Sequence, residues 1–188
     1  MKRSHRASLS LHLLSGLVAF ATGVIAAAEV AFDRELAAEA AGHIYTRQAA
    51  AHTWCAIGAV RLRQSRTAEA AAAFEHALER VPGHPLVLAA LTVVADRGRR
   101  AAFQSRLDGR LETLRMYGRH VEVAMITAVV RVLSGRHAEA AADVSAALQA
   151  APSGSSAGWT LPVEPLLQVA THPIEWAAAL SALRPRAA

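Results

Sequence analysis

Along most of this chain apolar residues recur three and four positions apart, and no segment alternates apolar and polar residues with a period of two. The first spacing lines one face of an α-helix, and the second would line one face of a strand. The pattern predicts an all-α protein. Phe32, Leu36, Ala40 and Ile44 step by four, while Asp33, Arg34, Glu35 and Glu39 fall mostly elsewhere, which predicts one amphipathic helix over 29–50. Pro85 opens a helix that reaches Arg97. Phe103, Leu107, Leu111 and Leu114 form the apolar stripe of the next, between Arg99 and Tyr117. Residues 152–164, PSGSSAGWTLPVE, are a loop rich in Pro, Gly and Ser. Pro173 then suits a first helical position, and Ile174, Trp176, Leu180 and Leu183 are expected to seal the end of the fold.

The start of the chain departs from this pattern. Lys2, Arg3, His5 and Arg6 are followed by an unbroken run, Ala7 to Ala28, without Asp, Glu, Lys or Arg, and then by Glu29 and Asp33. Positive charge before and negative charge after an apolar run orients it with the N-terminus in the cytoplasm. Three fates stay open. Ala26-Ala27-Ala28 is an A-x-A site, so cleavage after Ala28 would release an exported domain. The run is also long enough to remain as a transmembrane anchor. Ser10, His12, Ser15, Gly16 and Gly23 dilute it, which also allows a buried helix of a cytosolic fold.

Residues 51–84 carry Trp54-x2-Ile57-Gly58, then Ala70-x3-Phe74, Ala77 and Pro82. This order and spacing resembles the tetratricopeptide repeat, a helix-turn-helix unit of about 34 residues with the pattern W-x2-L-G-x2-Y, A-x3-F and P. Arg61 stands where the family has Tyr. A second match begins at Val121, where Gly135, Ala140, Ala147 and Pro152 hold the offsets of Ser65, Ala70, Ala77 and Pro82, with Ala124 and Ala128 in place of Trp and Gly. A degenerate middle unit then falls between them, and the resemblance is weaker over 85–154. It implies an α-solenoid of about three such units. The expected organisation is a signal peptide or anchor at 1–28, a capping helix at 29–50, repeats at 51–154, and a C-terminal loop and capping helix at 155–188.

Such repeats are binding scaffolds, so the resemblance implies a protein partner and no catalysis. It places a concave groove on His52, Cys55, Ala59, Leu62 and Arg63, on Leu86, Ala89, Val93, Asp96 and Arg97, and on Glu122, Met125, Val129, Val132 and Leu133. That groove would be mainly apolar with a few polar handles, suited to an amphipathic segment of another protein. The membrane would be met through residues 7–28.

Composition and charge change little. Alanine supplies most of the excess in the 53% apolar content, and aromatics are only 5%, which favours closely packed helices. The formal charge is +5, but Lys2, Arg3 and Arg6 carry three of the 20 basic side chains and leave 17 against 15 acidic ones. Charge is concentrated over 97–119, and Arg99, Arg106 and Arg110 share one helical face there, a candidate contact for anionic lipid or an acidic protein. Nucleic acid is disfavoured, because no aromatics interleave with these arginines and the N-terminus signals export. The single Cys55 excludes an intrachain disulfide, and the histidines lack metal-ligand spacing, so no metal or cofactor is expected. Gly154-Ser155-Ser156-Ala157-Gly158 matches G-x-S-x-G, with Glu164 and His172 following, but a nucleophile elbow needs a strand before the serine. A serine hydrolase using Ser156 is therefore a remote alternative.

Overall fold

The computed structural model describes residues 11–40, 46–152 and 158–184, and every regular element among them is helical. The all-α expectation holds. The chain divides into two compact units, one ending at His84 and the other starting at Pro85.

The first unit is two helical hairpins, α1 (Leu11–Ala21) with α2 (Ile25–Ala40) and α3 (Thr46–Arg63) with α4 (Thr67–Arg80). The uncharged run does not continue as one helix. Gly23, at φ +84°, takes the left-handed conformation that ends α1, and its N–H and that of Val24 donate to the carbonyls of Phe20 and Ala19 at 3.0 and 2.8 Å. This Schellman turn satisfies carbonyls that the helix end leaves open and reverses the chain. Among the described residues no helix is long and apolar enough to cross a membrane. The helix expected over 29–50 is instead the greater part of α2 and the start of α3; Ile44 and its neighbours 41–45 lie outside the described residues.

Both hairpins close in the same way. Gly16 on α1 lies under Phe32 of α2, so closely that a Cβ on Gly16 would sit 2.4 Å from the ring. Gly58 on α3 lies under Phe74 of α4, where a Cβ would sit 2.3 Å away. The spacing from glycine to phenylalanine is identical in the two hairpins, and both rings are fully buried. Glycine is required at both places because no side chain fits between helix and ring. Trp54 lies on the flank of the second hairpin, tilted against His76 with ring centroids 4.7 Å apart and under the Arg80 guanidinium. Arg61 stands where the repeat family has Tyr, and it reaches back to Glu29 of α2 at 2.6 Å.

The second unit holds α5 (Pro85–Val94), α6 (Arg97–Met116), α7 (His120–Leu133), α8 (His137–Ala150) and α9 (Pro173–Leu183), with short 3₁₀ turns at Leu161–Val163 and Val169–Thr171. α7 and α8 form a hairpin in the register of the first two. Ala128, left-handed Gly135, Ala140 and Val144 correspond to Gly58, Ser65, Ala70 and Phe74, and to Gly16, Gly23, Ala28 and Phe32. Ala128, Ala140 and Val144 are all fully buried, so at the two positions held by glycine and phenylalanine elsewhere this hairpin carries a larger and a smaller residue. α5 and α6 depart from this register. α5 has 10 residues and α6 has 20, and α6 buries only the stripe Phe103, Leu107 and Leu111. Of the residues expected to seal the C-terminus, Trp176 and Leu183 are buried, but Ile174 points outward and Ala179 takes the inner position.

A further local rule was not anticipated from sequence. Ser65-Arg66, Gly118-Arg119 and Gly135-Arg136 each open the following helix, and Glu69, Glu122 and Glu139 stand three positions after each arginine. Every one of these arginines pairs with its glutamate. The carboxylate lies in the first turn, where the helix dipole favours negative charge. Exposed pairs of this kind add little stability; they give three helix starts the same geometry.

Candidate functional site

Within the second unit, α5, α6, α7 and the segment after α8 surround a cleft of about 370 Å³. Its floor is Met125 and Ile126 of α7, both buried, and its walls are Leu86 of α5 and Leu114 of α6. Trp159 stands at the opening, 60% exposed. Met116 and Tyr117, which follow Leu114 in the chain, are exposed at 79% and 78%.

The position of Trp159 follows from Gly158. That glycine is buried at φ +85°, and a Cβ there would come within 2.9 Å of Leu148 and 3.4 Å of Leu183 and Val121. The backbone can lie flat on α7, α8 and α9 only without a side chain. Leu161 N–H then donates to Gly158 carbonyl at 2.9 Å and closes the turn that carries Trp159 and Thr160. Arg119 and Glu122 form the polar edge, joined at 2.6 Å. A concave apolar surface with an exposed indole and one ion pair at its edge can take up an apolar side chain and orient the polar chain beside it. The residues that line it include no nucleophile paired with a base.

The groove residues expected from the repeat resemblance divide between the two units. In the second, Leu86 and Met125 line this cleft, together with Glu122. Ala89 and Val129 are fully buried, Val93 is half-buried, and Asp96 and Arg97 are exposed at the turn into α6. In the first unit Cys55 and Ala59 are buried, whereas His52 and Arg63 reach the surface. Arg63 donates to Phe20 carbonyl at 3.2 Å and covers the Phe20 ring, so it ties α3 to α1. His52 packs edge-on against His84, with ring centroids 4.8 Å apart. Burial, and secondly the charge of His52, push the His84 pKa down to about 3. Trp159, Ile126 and Arg119 were not singled out as groove residues from sequence, and Leu114 only as part of a helix stripe. The aromatic residue beside a glycine in a polar loop was the one available signal.

On α6, Arg99 and Arg106 both lie over the Phe103 ring, at 5.3 and 5.9 Å, and Arg110 is exposed. Ser156 lies outside the described residues. Of the two groups that follow it, Glu164 has its carboxyl enclosed, and burial pushes its pKa up to about 7. His172 stacks on His137 at 3.6 Å and faces Glu175 at 3.7 Å. No group of three or more His, Cys, Asp or Glu among the described residues is placed to hold a metal ion.

No protein-family model matches the chain, and neither a curated protein nor a solved structure matches it.

Proposed function

We propose that this protein is a membrane-associated or exported scaffold of tetratricopeptide-like hairpins, without enzymatic activity, that captures another protein by an amphipathic segment. The observation that carries the reading is the cleft beneath Trp159, because it joins an apolar floor to a polar edge on a helical frame. The common register of three hairpins supports a repeat scaffold, and the Gly–Phe contacts at Gly16 and Gly58 fall where the repeat pattern has its small and aromatic positions. The partner's apolar residue enters between Leu86, Leu114 and Ile126, and its flanking polar groups meet Arg119 and Glu122.

A photo-crosslinking residue at Thr160 tests this in the full chain. Crosslinks to one partner should form in the parent and disappear in Ile126→Asp and Trp159→Ala, with helicity unchanged for Trp159→Ala, whose side chain is mostly exposed. Equal crosslinking in parent and both variants would show that the cleft is not the contact. A second reading rests on the arginines over Phe103: Arg99, Arg106 and Arg110 make a basic face for an acidic protein surface or anionic lipid, since guanidinium pairs bidentately with carboxylate and phosphate.

A further inference from the structure

The first hairpin carries an apolar surface that the fold leaves uncovered. On α1, Leu13, Gly16 and Phe20 face inward and are buried. Leu11, Leu14 and Val18 lie on the opposite side of the same helix at 56%, 54% and 52% exposure. Their spacing of three and four places them in one stripe. Val24 in the following turn is 54% exposed and Val30 of α2 is 50% exposed. Among the described residues, the next exposed large apolar side chain along the chain is Met116, so the outward aliphatic surface described in the first unit is confined to this hairpin.

The inner side shows that the segment works as part of the fold. Phe32 closes over Gly16, Leu13 N–H donates to the buried Glu35 carboxylate at 3.1 Å, and Arg63 reaches across from α3 to Phe20 carbonyl. Cleavage after Ala28 would remove the partner of Phe32 and leave Glu35 without its donor. Straightening residues 7–28 into a spanning helix would break the Gly23 turn and the same contacts. The outer stripe therefore has to meet its environment with the hairpin closed.

Charge points to what covers it. Lys2, Arg3 and Arg6 precede α1 in sequence, and no acidic residue occurs before Glu29. An apolar helical face that follows a cluster of basic residues in the chain is the pattern of a helix lying in the plane of an anionic membrane surface. We infer that the closed α1–α2 hairpin docks flat on anionic lipid through Leu11, Leu14 and Val18, held by the basic residues before it, and neither spans the bilayer nor is removed. This rests on the membrane-associated form of the proposed function and is independent of the cleft.

The experiment uses the full chain and vesicles of phosphatidylcholine with and without phosphatidylglycerol. Binding should require phosphatidylglycerol, fall as salt rises and be reversed by alkaline carbonate. Leu11→Ser, Leu14→Ser and Val18→Ser combined should weaken it by ~10-fold or more without lowering the melting temperature, since these side chains make the outer face. Lys2→Gln, Arg3→Gln and Arg6→Gln combined should remove the salt-sensitive part of the binding. Trp159→Ala should leave vesicle binding intact, and the triple serine variant should leave crosslinking at Thr160 intact, so the two proposals fail separately. Carbonate-resistant insertion, a cellular form beginning after Ala28, or equal binding to neutral vesicles overturns the inference. So does a dimer that the triple serine variant abolishes, which would assign the stripe to a second copy of the chain.

Discussion

The hairpins α1–α2 and α3–α4 solve one packing problem with the same residues and present opposite surfaces. Each places a glycine under a phenylalanine at the same sequence spacing, and each reverses through a left-handed residue at the same offset from that glycine. Outside, they diverge. α4 carries Glu69, His76, Glu79 and Arg80 in ion pairs, whereas α1 turns Leu11, Leu14 and Val18 to solvent. The inner contact is set by steric fit, which tolerates almost no change. The outer face is free to become a charged surface in one hairpin and an aliphatic one in the other. Equivalent cores therefore do not imply equivalent roles.

The strongest test of that equivalence is to empty both contacts. Phe32→Ala and Phe74→Ala should each destabilise the fold by ~3–5 kcal/mol, because both rings are fully buried. Urea unfolding measures the two losses. A loss at Phe74 with none at Phe32 would show that the first hairpin is not part of the cooperative core.

Acid should separate the hairpins next. His84, only 3% exposed, has its pKa pushed down to about 3 by burial and then by the charge of His52. A folded pKa below the ordinary histidine value favours the neutral ring, so this stability is fully present above about pH 6.5 and is lost as pH falls toward 3. The loss amounts to roughly 5 kcal/mol over that window. Hydrogen exchange should show α3 and α4 losing protection first on acidification, and His84→Phe should flatten the pH dependence. Retention of the full acid sensitivity in His84→Phe would place its origin elsewhere.

The smallest effects lie at the two turns. Gly23 and Ser65 occupy corresponding left-handed positions, at φ +84° and +60°. A Cβ is unfavourable in that conformation by ~1 kcal/mol. Gly23→Ala should therefore destabilise, and Ser65→Gly should raise the melting temperature by a few degrees. Shifts of the same sign in both variants would show that the turns are not equivalent.

The second hairpin was legible in the sequence because Trp54, Gly58, Ala70, Phe74 and Pro82 fall at recognisable spacings within a single repeat length. The first contains Gly16, Gly23, Ala28 and Phe32 at the same spacings, yet its uncharged run leaves a signal, an anchor and a buried helix open. Hydropathy reports the absence of charge and not the identity of the partner, so a helix that packs on Phe32 and one that enters lipid carry the same signature. The left-handed turn residues and the Arg–Glu pairs at 66–69, 119–122 and 136–139 are local in sequence and could have been found by aligning the turns.

The chain's own order of residues determines that it is helical, where the helices of the second hairpin run, that α7–α8 follows the same plan, and that no disulfide can form within it. The helical properties depend on interactions within about one turn of helix or across one hairpin, and the last follows from the single cysteine. Tertiary structure alone decided that Phe32 reaches Gly16 and thereby binds the apolar N-terminal helix into the fold, that Met125 lines a cleft while Val129 is buried, and that Gly158 sets Trp159 over α7. Each of these depends on which surfaces meet across turns and loops. A periodic pattern marks a face as apolar, but only the packed chain selects what, if anything, covers it.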